Sequence, residues 1–249
     1  MEFRDFTITK REILVSIAIT FILIGIGFLI NSAIQNAIYE KNEKYYKALK
    51  IENNEEQFKY AIKTNIGNTL AQGKVQAVNR VSISDIEGNY FKIKKVKEKY
   101  TKHTRQVAHT RKVGNTTQTY YTTEEYWTWD YAGEEEWHTE KFDFLGVNFD
   151  YGTIKFNNES YKHTKQVDYY TRYKYYTIPE EFEGTLFTYI NNNTINVNEF
   201  YLQDAINDII DNKQGEADVW DIGFWIIWII LIGFIDFGYM YLDNNYLED

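Results

Sequence analysis

The residues of this 249-residue chain that could do chemistry are four histidines and several runs of adjacent glutamates. His103 and His109 would share one face of a regular strand, but six residues separate them by about 20 Å, too far to bind one metal together. A metal site that combines His103, His163 and residues 134–136 stays open if the strands around the two histidines pair. Exposed strand histidines are far commoner than such ligand sets, so we predict no metal ligand.

The glutamate runs do not have the geometry of a hydrolytic site. Adjacent residues of a strand point to opposite faces, so 124–125, 134–136 and 180–181 do not converge as an acid and a nucleophile must. The sequence contains no phosphate-binding glycine loop, no Gly-x-Ser-x-Gly turn and no His-Glu-x-x-His motif. It contains no cysteine, which excludes disulfides and thiolate sites. We therefore predict no catalytic residue, no cofactor and no enzymatic activity.

Aromatic residues are the more informative set, because they make up 18% of the chain and include 22 tyrosines. Tyr and Trp are enriched in binding surfaces, since they give a large contact area at little entropic cost and keep a polar group. A tyrosine-rich core would account for at least half of these rings. We predict that the others form a binding surface made of Tyr121, Trp127, Trp129, Tyr131, Tyr173 and Tyr175.

Two segments are too apolar for a soluble domain. Residues 13–30 carry no charge, and eighteen residues at helical rise reach about 27 Å, close to the thickness of the hydrocarbon layer of a bilayer. Residues 222–242 form the second segment, with tryptophans towards one end and tyrosines at the other, as expected at two membrane interfaces. No small-residue cleavage motif follows the first segment, so we expect an uncleaved anchor.

Asp236 is the only ionisable residue inside either apolar stretch. A carboxylate in a bilayer costs several kcal/mol unless it has a partner, a path to the interface or a wet cavity. Lys10 and Arg11 stand at the start of the first helix, on the same side of the membrane in a hairpin topology, and their side chains can reach inward by about a turn. We predict that Asp236 pairs with Lys10 or Arg11. The alternative is an oligomeric channel or transport subunit in which Asp236 lines a polar path.

Two membrane helices place both termini on one side of the membrane and the whole middle of the chain on the other. The basic residues of the short N-terminal tail predict cytoplasmic termini and an extracytoplasmic central domain in a cell membrane. Lys41, Lys44, Lys47 and Lys50, after the first helix, argue for the reverse orientation. The net charge of −9 argues against a nucleic-acid partner.

The fold class that follows is a membrane-anchored α+β protein with two transmembrane helices bracketing a β-rich antiparallel domain. A long hairpin is predicted from residues 90–113 and 119–131, with Arg105, Arg111 and Lys112 facing Glu124 and Glu125. The first amphipathic helix is expected to end near Gly67 or Gly73, and a turn at 132–134, a strand at 161–178 and a hairpin at 185–195 are also expected. The predicted segments are a tail at 1–12, a membrane helix at 13–34, a helical stalk and amphipathic helix at 35–73, the β-rich domain at 74–200, an amphipathic helix at 201–215, a second membrane helix at 220–242 and an acidic tail at 243–249.

Residues 100–107 and 161–167 echo each other, which indicates either a duplicated β unit or convergence of two exposed strands. Together with 58–70, 73–79 and 175–185, the Tyr-x-x-His-Thr-Arg strand resembles an uncharacterised group of membrane-anchored proteins from low-GC Gram-positive bacteria and their phages. The resemblance implies a bacterial or phage envelope location and no activity. We expect an integral membrane protein that presents an aromatic-rich β domain at the membrane surface and binds a protein or an envelope polymer. Its oligomeric state, including a homo-oligomer, stays open.

Overall fold

A computed structural model describes residues 9–247, so the predicted tails at 1–12 and 243–249 lie partly outside the described residues. Two long apolar helices flank an antiparallel β-rich unit, as predicted. The chain before Leu49 and after Asp204 forms the helical unit, and Leu49–Asp204 form the β unit. The elements are α1 (Lys10–Tyr46), β1 (Leu49–Glu52), α2 (Glu55–Thr64), β2 (Gly67–Ala77), β3 (Val81–Ile83), β4 (Ile86–Val113), β5 (Thr116–His138), β6 (Lys141–Phe144), β7 (Val147–Asp150), a 3-10 turn (Tyr151–Thr153), β8 (Ser160–Asp168), β9 (Thr171–Pro179), β10 (Glu181–Asn191), β11 (Thr194–Leu202) and α3 (Ile206–Leu247).

The first helix, α1, begins at a capping box and continues for 37 residues. The backbone N–H of Glu12 donates to the Thr9 hydroxyl at 3.3 Å, and the Thr9 N–H donates to the Glu12 carboxylate at 2.6 Å. No proline interrupts the sequence that follows. The predicted membrane helix at 13–34 and the stalk after it are therefore one continuous helix.

The prediction of a separate amphipathic helix at 201–215 is wrong. Tyr201 belongs to β11, and Gln203 then takes a left-handed conformation with φ of 59° before the helix begins. From Ile206 the helix α3 continues through Gly215 into the apolar stretch without a break. The isoleucines at helical spacing were a valid helix signal, but the aromatic residues before them belong to a strand.

The first sheet has six strands. Its order is β11-β10-β2-β6-β7, and β1 runs parallel to β2 along the edge opposite β10. Helix α2 is capped by Asn54 and packs Phe58 edge-on against Phe144, with ring centroids 5.4 Å apart. The helix ends at Thr64, close to the predicted Gly67 and well before Gly73, because Asn65 takes φ of 54° and Gly67 already begins β2.

The second sheet has the order β3-β4-β9-β8, and β5 pairs with β4. Strands β4 and β5 form the predicted long hairpin around Gly114 and Asn115. The pairing of β4 with β9 ends at Lys99, so beyond it β4 and β5 continue as a two-stranded ribbon. Arg105 and Glu124 face each other as predicted, 2.9 Å apart, whereas Arg111 and Lys112 lie opposite uncharged residues.

Three further predictions for the β unit, a turn, a strand and a hairpin, have different outcomes. The turn predicted at 132–134 is a bulge within β5, in which Ala132 and Gly133 together oppose Lys97. The strand predicted at 161–178 is the hairpin β8-β9, because the Asp168 carboxylate accepts a hydrogen bond from the Tyr170 N–H at 2.7 Å and closes a turn. The hairpin predicted at 185–195 is confirmed, with both central asparagines of β10-β11 at positive φ.

Phenylalanine, rather than tyrosine, fills the core of the β unit. Phe91, from β4, is fully buried and contacts Phe156 and Phe182 with ring centroids 5.1 and 5.4 Å apart. Tyr175 and Tyr90 are the buried tyrosines of a second, smaller cluster that also contains Ile93. Most tyrosines of the ribbon are therefore left for the surface.

Candidate binding surface

The register of β4 and β5 places four of the predicted binding residues on one face of the second sheet. Even-numbered β4 residues lie opposite odd-numbered β5 residues along the ribbon, so Tyr100 faces Trp129 and Lys102 faces Trp127. Opposed residues of an antiparallel pair project to the same side. We call this side the front face, and it carries Tyr121, Trp127, Trp129 and Tyr131 as the sequence pattern predicted.

The other two predicted binding residues lie on the opposite side, the back face. The register pairs Tyr173 with Lys97 and Tyr175 with Lys95, which are odd-numbered β4 residues. Tyr175 is fully buried. The prediction that these six residues form a single surface is therefore wrong. Spacing within a strand shows which of its own side chains share a face, but it does not show which face of the neighbouring strand lies on the same side of the sheet.

The front face gathers five aromatic rings from three segments of the chain. The Tyr100 ring lies 5.3 Å from Trp127 and 5.1 Å from Trp129 between centroids, and the β8-β9 turn adds two further tyrosines. The Tyr169 ring lies 6.4 Å from the Tyr100 ring, and the Tyr170 ring lies 6.2 Å from the Trp127 ring, between centroids. We name this group the ring cluster, and its members are Tyr100, Trp127, Trp129, Tyr169 and Tyr170.

Both the backbone and a charge network hold the ring cluster in place. The Tyr100 N–H donates to the Tyr170 carbonyl at 2.8 Å, which fixes the turn against β4. The Arg172 guanidinium lies 4.3 Å from the Trp129 ring centroid and donates to Glu98 at 2.5 Å. Burial opposes ionisation of Glu98, but hydrogen bonds from Lys174 and Arg172 hold its pKa below the ordinary value. Arg172 is thereby fixed as a cation beside the rings.

Although its members touch one another, the ring cluster stays accessible. Tyr169 is 72% exposed, Tyr170 53% and Trp127 44%, so the rings cover each other only in part. The predicted residues Tyr121 and Tyr131 are also exposed on the front face, and in the described part of the chain neither contacts a ring of the cluster. The sequence pattern missed Tyr100, Tyr169 and Tyr170, although Asp168 before two aromatic residues was a turn signal.

Tyr175 has a structural role on the back face. Its hydroxyl donates to Asp85 at 2.8 Å, and the ammonium groups of Lys95 and Lys165 each lie 2.9 Å from the same carboxylate. Hydrogen bonds from Lys165, Lys95 and Tyr175 hold the pKa of Asp85 well below its ordinary value. Burial and the bond to Asp85 raise the pKa of Tyr175. The group joins β4, β8 and β9 to the β3-β4 turn.

The histidines do not come together. Strand β9 lies between β4 and β8, so His103 and His163 are not on paired strands, and the two echoing segments do not pair either. His103 instead contacts Asp130, with Nε2 and Oδ2 2.5 Å apart. Residues 9–247 contain no group of three or more His, Asp or Glu side chains that could hold a metal ion.

In the helical unit, Asp236 has a different partner from the predicted one. Its carboxylate accepts a hydrogen bond from the Thr20 hydroxyl at 2.6 Å, while Arg11 lies 2.5 Å from Asp243. The pair of Asp236 with Lys10 or Arg11 is not formed, because Asp243 stands two turns further along α3, level with the start of α1. The helices contact each other through further polar bonds, including Asn31 to Asp221 at 2.5 Å.

Comparison of the chain with protein-family models, with curated proteins and with solved structures finds no match.

Proposed function

We propose that this chain is a two-pass membrane protein that binds a protein partner through the ring cluster. The observation that carries the proposal is that five aromatic rings, three of them exposed, meet at one place on the sheet, with a fixed arginine over one of them. Aromatic residues and arginine are the side chains that dominate binding energy at protein interfaces. Three members of the cluster lie on strands and two on the short β8-β9 turn, which a backbone hydrogen bond fixes to β4, so little order has to be gained on binding.

The composition and the outer surfaces of the two long helices support the membrane part of the proposal. Both helices are long and apolar enough to cross a bilayer. Large apolar side chains face outward along them, such as Phe21 at 71% and Phe234 at 73% exposure. Apolar surface of this extent is unfavourable in water and matches a hydrocarbon environment. We further propose cytoplasmic termini and, from the sequence resemblance, a bacterial or phage envelope location.

Polar groups beside the rings favour a protein rather than a bare apolar ligand. Lys102 and Glu125 pair at 2.7 Å next to Trp127, and Arg172 and Glu98 pair next to Trp129. Charged pairs around an aromatic centre form the polar rim that protein interfaces show. An envelope polymer is the other outcome that the experiment below would reveal.

Site-specific photocrosslinking in intact cells tests the proposal. A photoreactive phenylalanine analogue at Trp127 should give a discrete adduct that contains peptides of a second protein and that a glycosidase leaves unchanged. The matched control places the analogue at Tyr120, an exposed tyrosine that the register assigns to the back face. No adduct at Trp127, or equal adducts at both positions, would overturn the proposed surface, and a glycosidase-sensitive adduct would identify a polymer instead.

A second test measures the loss of an adduct formed at another residue of the ring cluster. With the analogue at Tyr170, replacement of both Trp127 and Trp129 by alanine should reduce the adduct by tenfold or more, since each aromatic anchor contributes about 1–2 kcal/mol. Replacement of Tyr120 by alanine should leave it unchanged. An adduct that survives the double substitution would mean that the rings do not carry the binding.

A further inference from the structure

A groove runs along one side of the helical unit beyond the apolar stretches. It encloses about 470 Å³, and six of the residues that line it are Gln35, Asn36, Tyr39, Tyr46, Gln214 and Asp218. The side chains come from both α1 and α3, so the groove exists only where the two helices pair. The groove belongs to the helical unit, whereas the ring cluster belongs to the β unit.

The lining of this groove has the chemistry that binds an ammonium group. Tyr39 and Tyr46 stack on each other with ring centroids 5.6 Å apart, one helical heptad apart on α1. Asp218 contributes a carboxylate, and within residues 9–247 it has neither a hydrogen bond nor an ion pair. Aromatic faces together with a carboxylate attract a cation, and quaternary ammonium groups are bound in this way. Among residues 9–247, no lysine or arginine lines the groove to compete for the site.

The end of the groove nearest the apolar stretches lies at the depth of the headgroup layer of a bilayer. Gln35 follows the first apolar stretch, which ends at Ile30, by five residues, or about 7 Å of helix. Asp218 precedes the second stretch, which begins at Ile222, by four residues, or about 6 Å. The polar layer on each side of the hydrocarbon is roughly 5–8 Å thick, so Gln35 and Asp218 lie within it. Tyr39, about 13 Å of helix beyond Ile30, lies just outside this layer, and Tyr46, about 24 Å beyond Ile30, lies further into the water.

An apolar surface continues from the groove towards the membrane interior. Phe28 lies eleven residues before Tyr39, and Trp225 lies seven residues after Asp218, spacings that return to the same helix face. The two rings contact each other edge-on with centroids 4.9 Å apart. An acyl chain attached to a headgroup in the groove can therefore lie over this pair.

We propose that the groove binds the ammonium end of a zwitterionic phospholipid headgroup. Asp218 attracts the charge, the ring of Tyr39 covers it with Tyr46 stacked behind that ring, and the amide of Asn36 supplies a polar contact to the rest of the headgroup. The proposal rests on the proposed membrane insertion of α1 and α3. It assigns a lipid preference to the helical unit, independently of the partner that the β unit binds.

Native mass spectrometry of the purified full chain in detergent tests the site. Phosphatidylethanolamine, phosphatidylcholine and phosphatidylglycerol with identical acyl chains are added one at a time, and the retained lipid is counted. We expect one molecule of phosphatidylethanolamine or phosphatidylcholine to be retained per chain, in an amount about fivefold higher than for phosphatidylglycerol. One cation–aromatic contact supports an effect of this size. Equal retention of the three lipids would overturn the proposal.

Variants separate the contributions of charge and ring. Asp218→Asn and Tyr39→Leu should each abolish the preference, and Tyr39→Phe should keep it because the ring remains. Asp211→Asn removes the same charge from an α3 position outside the groove and should have no effect. An unchanged preference in Asp218→Asn would overturn the site.

Alkaline carbonate extraction of cell membranes distinguishes this failure from failure of the proposed function. A chain that resists extraction but shows no headgroup preference would overturn the groove and support membrane insertion. Release of the chain by carbonate would overturn membrane insertion. A membrane lipid could then not be the source of the ammonium group.

Discussion

The indole of Trp228 occupies the space that the missing side chain of Gly27 leaves on the facing helix. Its Nε1–H donates to the Leu23 carbonyl at 3.0 Å, and a Cβ added at Gly27 would overlap the ring. A small residue that admits a large one lets two helices approach closely, which is how helices associate where no hydrophobic effect drives them together. The contact lies between the polar bonds of Thr20 with Asp236 and of Asn31 with Asp221.

Gly27→Ala should destabilise the helix pair. The added methyl group displaces Trp228 and breaks its hydrogen bond, which we expect to cost about 1–3 kcal/mol. The measurement is the midpoint of thermal unfolding of the purified full chain in detergent, followed by circular dichroism, which should fall by several degrees. Gly25→Ala is the matched control, because a Cβ there meets no atom within 4 Å. Equal midpoints for the two variants would contradict the contact.

Hydropathy predicted both long helices, but not how they pair. The apolar stretches are visible in the sequence, whereas the partner of Asp236 depends on the rotation of each helix about its axis. The sequence favours a cation as the partner of Asp236, whereas in the structure the Thr20 hydroxyl donates to one oxygen of its carboxylate. Asn31, Gln35 and Asn42 lie on the stripe of α1 that contacts α3, and their spacing of four and seven residues was the signal that could have revealed it.

Within the β unit, local turn chemistry was predictable and the assembly of strands was not. The Gly114-Asn115 and Asn192-Asn193 turns follow from residues that accept positive φ. Gly133 also accepts a positive φ, but it lies in a bulge rather than in a turn. The register of β4 and β5 decides which of the two forms. The ring cluster needs the β8-β9 turn to reach Tyr100, a contact between residues some seventy positions apart.

Asp85→Asn should destabilise the β unit, because it removes the charge that two ammonium groups and the Tyr175 hydroxyl share. We expect a loss of about 1–3 kcal/mol in the free energy of unfolding, measured by urea denaturation of the full chain in mild detergent. Asp150→Asn is the control, since the Asp150 side chain is 81% exposed and 3.9 Å from its lysine. A loss no larger than that of the control would show that the group contributes little.

The same carboxylate should make stability depend on pH. Its pKa is lower in the folded than in the unfolded chain, so its stabilising contribution is complete above the unfolded value of about 3.9 and is lost as the pH falls towards the folded value. The difference in unfolding free energy between wild type and Asp85→Asn should be constant from about pH 5 to 7 and should shrink below about pH 4. A difference that grows on acidification would contradict the assigned direction.

The orientation of the chain can be tested with single cysteines, because the sequence has none of its own. On intact cells, Thr116→Cys at the end of the ribbon should react with an impermeant thiol reagent, and Asp249→Cys should not. Both should react after the membrane is permeabilised, which controls for accessibility. Labelling of Asp249→Cys alone on intact cells would reverse the proposed topology.

The final prediction separates a structural role of Asp236 from a role in transport. An asparagine has the same shape and still accepts the Thr20 hydroxyl, so Asp236→Asn should change the unfolding midpoint little, whereas Asp236→Leu removes the acceptor and should lower it. Reconstituted in liposomes, the wild type and Asp236→Asn should be equally impermeable to ions. The apolar contact of Gly27 with Trp228 interrupts the polar residues of the helix pair, so a single pair has no continuous path for an ion. An ionic current that the wild type carries and Asp236→Asn abolishes would instead identify the chain as a channel subunit.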